Sequence, residues 1–232
     1  MSELKSTSFV APAKFSPTFI VFYAFILGNL LKWCDVIGDE ELFLNEEQYA
    51  FHSKLAIVIF SLCSTHFCLV NMTCAAMGSG LMIGCVLGMK IDIIEHIIPT
   101  IVIVTVPYII AYLFKGASWN GLEFSKASVT RGIVTWVFIC LITGFEEIFH
   151  EMVDDHPNEI FRYIIDKRPI APLLTGIAAL LMTTNLFSNY IKNLCEWNMI
   201  FINTTFFQLG YETMRHIRDF LNASVLQGNV QV

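Results

Sequence analysis

The chain reads as an all-α integral membrane protein, a polytopic helical bundle of six or seven transmembrane helices. Three observations lead there. Of the 232 residues, 55% are hydrophobic and only 15% are charged, where a soluble domain carries about 25% charged residues. The mean hydropathy is +0.62. The apolar residues also fall in long uncharged runs, several near the ~20 residues that a helix needs to cross a hydrocarbon core. Such a composition excludes a disordered chain, a basic nucleic-acid-binding surface and a disulfide-stapled secreted module. The expected partner is the lipid bilayer, with no nucleic acid, and the localisation is a multi-pass membrane protein.

The elements follow in order. Between Lys14 and Lys32 lie 17 uncharged residues, which predict a first helix over 15–33. Lys32 and Trp33 suit a membrane interface. The run is read as a signal-anchor, because no small-x-small cleavage site follows it. Residues 35–51 carry Asp35, Asp39, Glu40, Glu41, Glu46 and Glu47 and read as a polar loop. Leu55 to Met89 is a run of 35 residues without a formal charge. As one helix it would measure about 52 Å, well beyond a core of about 30 Å. A break between Asn71 and Gly80 is therefore predicted, giving helices over 54–71 and 74–90, the second either spanning or re-entrant.

Ile97 to Phe114 adds 18 uncharged residues and a helix over 97–115, with Pro99 and Pro107 tolerated as they are in membrane helices. Gly132 to Phe145 gives only 14, placed in a helix over 128–147. Residues 148–168 read as a surface helix, and 169–191 as the cleanest span, with 23 uncharged residues. The segment 195–212 is the optional seventh crossing, since Asn198, Asn203, Thr204, Thr205 and Gln208 interrupt it. A charged amphipathic tail follows from Glu212. The whole of 1–232 forms one membrane-embedded domain, with no room for a soluble domain of ordinary size.

Lys plus Arg number 14 and Asp plus Glu 20, for a net charge of -6, and the acids are clustered. Asp92, Glu95 and His96 share one helical face through offsets of three and four. Glu147, His150, Glu151 and Asp154 form a second stripe, with Glu146 beside it. Imidazole and carboxylate at one-turn spacing are what a divalent metal ion requires, so such an ion is the expected cofactor if there is one. The two clusters are separated by two predicted helices and so lie on the same membrane side if both span; with seven spans the loop 35–51 and the residues Glu212 and His216 fall there as well.

Two further features stand inside the apolar runs. His66 is an ionisable residue at membrane depth, a functional candidate on that ground. Gly80, Gly84 and Gly88 repeat every fourth position and predict close helix packing, including homo- or hetero-oligomers through that glycine face. The seven cysteines include no C-x-x-C pair and read as small packing residues. No P-loop, G-x-S-x-G or H-E-x-x-H occurs.

Three functions fit these residues. The leading expectation is a transporter or channel handling a cation, with Asp92, Glu95, His96, Glu146, Glu147, His150 and Glu151 as an acidic, cation-binding vestibule and His66 as a gate or proton-coupled site. The alternative is a metal-dependent intramembrane enzyme acting on a lipid or other apolar substrate, with Asp92, His96, Glu147, His150 and Glu151 holding one or two ions that activate water. A non-catalytic membrane subunit or assembly factor is the third.

Overall fold

The computed structural model describes residues 15–39, 42, 44–91, 93–115, 120–154, 157–166, 168–184, 188–193 and 195–229. Every element among them is helical: α1 (Pro17–Gly38), α2 (Glu46–Val70), α3 (Met72–Leu87), α4 (Ile94–Leu113), α5 (Lys126–Asp154), α6 (Glu159–Asp166), α7 (Ile170–Thr183), α8 (Asn189–Lys192) and α9 (Trp197–Asn229). Four of these, α1, α2, α4 and α5, are long and apolar enough to cross a membrane, while α3 and α7 are shorter apolar helices. The architecture is that of a helical membrane bundle.

Local chemistry sets the helix ends. Ser16 accepts a hydrogen bond from the Phe19 amide at 3.2 Å, and Pro17 opens α1, both standard first-turn devices. Asn45 and Gln48 cap α2 reciprocally, and Glu46 and Glu47 in its first turn favour the positive end of the helix dipole. Asn71 ends α2 and begins α3 in one residue. Its extended backbone breaks the long uncharged run, and its side chain accepts from the Cys74 amide at 2.8 Å. Asn71→Ala removes that cap and is expected to lower stability by about 1 kcal/mol, read as a shift in unfolding midpoint in detergent.

The helices run up and down between two ends. At one end the last turn of α1, the first turn of α4, the last turns of α5 and the start of α7 meet, through contacts such as His96–Asp35 and the Ile170 amide to Glu146. At the other end Tyr23 of α1 donates to the Cys63 carbonyl of α2 at 2.9 Å, and the Gly121 amide donates to the Leu69 carbonyl at 2.9 Å. The core between them is filled by Ile20, Ala24, Phe60, Phe67, Met82 and Ile103. The outer surface is apolar too: Leu62, Ile101, Leu141 and Leu180 are each more than half exposed. Side chains of this kind, facing outward from every part of a bundle, suit lipid rather than water.

Several boundaries differ from the sequence expectation. The 35–51 loop is shorter, because α1 continues to Gly38 and α2 already starts at Glu46. Among the described residues no single helix covers 148–168. Instead α5 runs on to Asp154, and α6 begins only at Glu159. Pro157 lies in the interruption, and Asn158 caps the restart by accepting from the Phe161 amide at 3.0 Å. The expected helix over 169–191 stops at Thr183. Thr183 and Thr184 turn their hydroxyls back onto the Leu180 and Leu181 carbonyls, and such local bonds compete with helix continuation. The segment 195–212 and the tail after it form one helix, α9, of 33 residues.

The glycine repeat is spent inside the chain. A Cβ on Gly80 would stand 3.0 Å from the Trp136 carbonyl oxygen, one on Gly84 2.6 Å from Thr143 Cβ, and one on Gly88 2.4 Å from Glu147 Cβ. Gly80, Gly84 and Gly88 thus seat α3 on α5, and the expected oligomer contact loses this face. An equally close approach that no repeat announces joins α1 to α9. A Cβ on Gly28 would lie 1.9 Å from the Phe207 carbonyl oxygen, and one on Gly210 2.0 Å from that of Phe25.

Candidate functional site

The acidic end of the bundle holds a layer of charged residues that is largely buried. It starts with α1, whose last turn carries Lys32 and Asp35 inward. Asp35 Oδ1 lies 2.6 Å from His96 Nε2 of α4, Asp35 Oδ2 accepts from the Tyr211 hydroxyl of α9, and Lys32 Nζ stands 3.6 Å away. Tyr211 then links this group to the next. Lys32 Nζ sits 5.4 Å from the centre of its ring and the Arg168 guanidinium 5.5 Å, within the range where a cation is drawn to a ring face.

Arg168 comes from the connection between α6 and α7 and donates through Nη1 to Glu147 of α5. Its backbone is left-handed, with φ 47°, an uncommon conformation for a residue with a side chain. Pro169 follows it and disfavours the right-handed helical region there. The strained turn aims a guanidinium into the bundle rather than out of it. Burial opposes the Arg168 charge, but Tyr211 and Glu147 outweigh it and raise its pKa above the ordinary value, so the side chain is cationic at every physiological pH.

Glu146 serves a different purpose. Pro169, the residue before α7, offers no side-chain cap, and Glu146 Oε1 takes that place from α5, accepting from the amides of Ile170 at 2.9 Å and Ala171 at 3.3 Å. A carboxylate at a helix N-terminus is stabilised by the free amides and the dipole. Glu95 accepts from the Ser53 hydroxyl of α2. Glu151 pairs with Lys90 at 3.3 Å, with both side chains more than a third exposed.

The expected metal-binding set therefore divides. Glu95, His96, Glu146, Glu147 and Glu151 do gather at one end of the bundle, and half-buried His150 sits one turn beyond Glu146 on α5. Their donors do not converge: among the described residues no three of His, Cys, Asp or Glu are placed to share an ion. Asp92 lies outside the described residues. His66 lies outside the bundle interior. It is exposed, one turn from the end of α2 at the opposite end, with Nδ1 3.2 Å from the Tyr23 hydroxyl. Sequence reasoning missed Lys32, Asp35, Arg168 and Tyr211, which tie the layer together.

Beneath this layer the bundle holds a partly open cavity of about 90 Å³. At about 30 Å³ per water in the liquid, that is room for about three waters. Its walls are mainly apolar, from Leu27, Phe60, Phe67, Met82 and Ile103, and its charged end is formed by Glu146, Glu147, Arg168 and Tyr211. The lining residues nearest the other end are Ala24, Phe67 and Met77, so the cavity runs from the charged layer to within about one turn of the end of α2. Set against models of protein families, curated proteins and solved structures, the chain matches none.

Proposed function

We propose that this chain is a seven-crossing membrane protein that takes an apolar or amphiphilic molecule from the bilayer and holds it in the cavity. The seven crossings would be α1, α2, α3, α4, α5, α7 and α9, which alternate in direction between the two ends. The observation that carries the binding reading is the cavity itself: an apolar body closed at one end by an Arg–Glu pair and a tyrosine. Ligand pockets are typically concave and mostly apolar, with a few polar groups that fix orientation. This reading retains the apolar substrate expected for an intramembrane enzyme without its metal centre.

A cation vestibule has less support, because the acids it needs already have partners. Asp35 is held by His96, Lys32 and Tyr211, Glu147 by Arg168, Glu146 by two amides and Glu151 by Lys90. A cation would have to displace bonds that exist before it arrives.

Filling the pocket tests the proposal. Leu27 is buried and lines the cavity, whereas Val58 is exposed on the outer face. Protein purified from membranes and analysed by native mass spectrometry is expected to retain a small amphiphile in the wild type and in Val58→Trp, and to lose it in Leu27→Trp. Equal retention in all three would place the molecule outside the cavity and end the reading.

A further inference from the structure

A second cavity, of about 200 Å³, is an apolar groove on the outer surface where α4 and α5 flank α3. Ala76 of α3 lines its base, Tyr108 of α4 one side, and Val129, Ile133 and Trp136 of α5 the other. None of its residues is shared with the cavity beneath the charged layer, so the two sites stand or fall separately. Both walls are held in place. The Tyr108 hydroxyl lies 3.1 Å from that of Ser79 on α3, which donates to the Ala75 carbonyl at 2.7 Å. Gly132 lets α5 settle onto Met72 at the start of α3, for a Cβ there would be 2.6 Å from Met72 Cγ. Phe124 and Ile133, 44% and 58% exposed, leave the groove open on the outer side.

Length and charge at the rim select an occupant. Trp136 lies ten residues beyond Lys126, about 15 Å along α5 and half of a hydrocarbon core of about 30 Å. One acyl chain of a single leaflet has that reach, whereas a helix from a second copy would run the whole thickness. Lys126 shares the groove face of α5 with Val129, Ile133 and Trp136, through offsets of three, seven and ten. Lys115 stands just past the end of α4. Both lysines are exposed, and among the described residues neither is paired with an acid. A lysine in a first turn opposes the helix dipole, so Lys126 does nothing for α5 itself. Among the described residues this end of the bundle carries Lys115, Lys126, Arg131 and Lys192 against Glu123 and Glu196.

We propose that the groove binds an anionic phospholipid, one acyl chain lying along Ile133 and Trp136 and the phosphate drawn to Lys115 and Lys126. The chain alone favours no headgroup, because it leaves one apolar medium for another. Selectivity comes from the two lysines, which attract an anionic headgroup. A zwitterionic lipid offers the same chain but brings its own cation to the rim.

Two probes with identical chains decide it: phosphatidylglycerol and phosphatidylcholine, each with a photoreactive diazirine on one chain. Full-length protein in phosphatidylcholine nanodiscs is irradiated with a trace of either, and labelled peptides are mapped. The anionic probe is expected to label Ile133 and Trp136 about fivefold more than the zwitterionic one, a ratio of about 1 kcal/mol. Leu62, 66% exposed on the outer face of α2, should label equally with both. Lys115→Gln combined with Lys126→Gln should abolish the preference, with folded yield unchanged because both sites are exposed. Equal labelling of the groove by the two probes overturns the lipid class. A preference that survives the double substitution overturns the role of the lysines. Anionic labelling no stronger at Ile133 than at Leu62 overturns the groove as a site. A disulfide joining two copies through Ile133→Cys would place a second copy in the groove and overturn the proposal as well.

Discussion

Arg168→Met is expected to destabilise the protein by about 3–5 kcal/mol, because it leaves the Glu147 carboxylate buried and without its counter-charge. The pair lies deep, with side chains 18% and 5% exposed for Arg168 and Glu147, and water can screen little of the loss. Adding Glu147→Gln to the same chain removes the stranded charge and should restore most of the stability, since a buried pair replaced as a unit is often neutral. Lys90→Met supplies the contrast. It breaks the half-exposed pair with Glu151, for which a cost of about 0–1 kcal/mol is expected. Unfolding midpoints of the four proteins in one detergent check the ordering, and an Arg168→Met as mild as Lys90→Met would show that Glu147 is solvated.

Gly28→Ala is expected to be more damaging than its size suggests. One methyl group would be 1.9 Å from the Phe207 carbonyl oxygen and 2.9 Å from the Tyr211 amide nitrogen. Backbone cannot yield as a flexible side chain does, so α1 and α9 must separate. The loss should exceed the about 1–3 kcal/mol of ordinary overpacking, with folded yield falling sharply. Gly144→Ala is the control. Its nearest neighbour would be the Gly84 carbonyl oxygen at 3.3 Å, a contact that a shift of a few tenths of an ångström relieves. Comparable folded yield from both variants would show that α1 and α9 do not touch there.

Much of this architecture is legible in the residue order, and the limits of that reading have physical causes. Uncharged runs announce helices because the bilayer selects length and hydropathy directly. The gathering of acids at one end follows from counting crossings. Asp35 escapes because hydropathy treats any carboxylate as belonging to water. Here it belongs to the last turn of α1, and its partners His96 and Tyr211 lie far along the chain, where no local period connects them. Arg168 looks like part of a Lys-Arg-Pro stop, although the proline after it is one reason its backbone turns inward. Gly28 and Gly210 carry no motif, since each is a single small residue and its meaning appears only when the two helices cross. The stop at Thr183 is invisible to a hydropathy count, which assigns threonine a value but not a hydrogen-bond direction.

The contact between α1 and α9 also constrains the order of assembly. Its two halves are remote: the Tyr211–Asp35 bond alone joins residues 176 positions apart. A ribosome delivers α1 to the membrane long before α9 exists, at about 5–20 residues per second. During that interval Gly28 and the neighbouring backbone have no helix to rest on, and Asp35 has no phenol to bind. The bundle cannot acquire its final topology by growing outward from its first hairpin. It must hold a seam open and close it last, when the helix that fills the seam has been made. Long-range closure of this kind slows folding, which makes the interval before α9 arrives the period in which the nascent chain depends most on its surroundings.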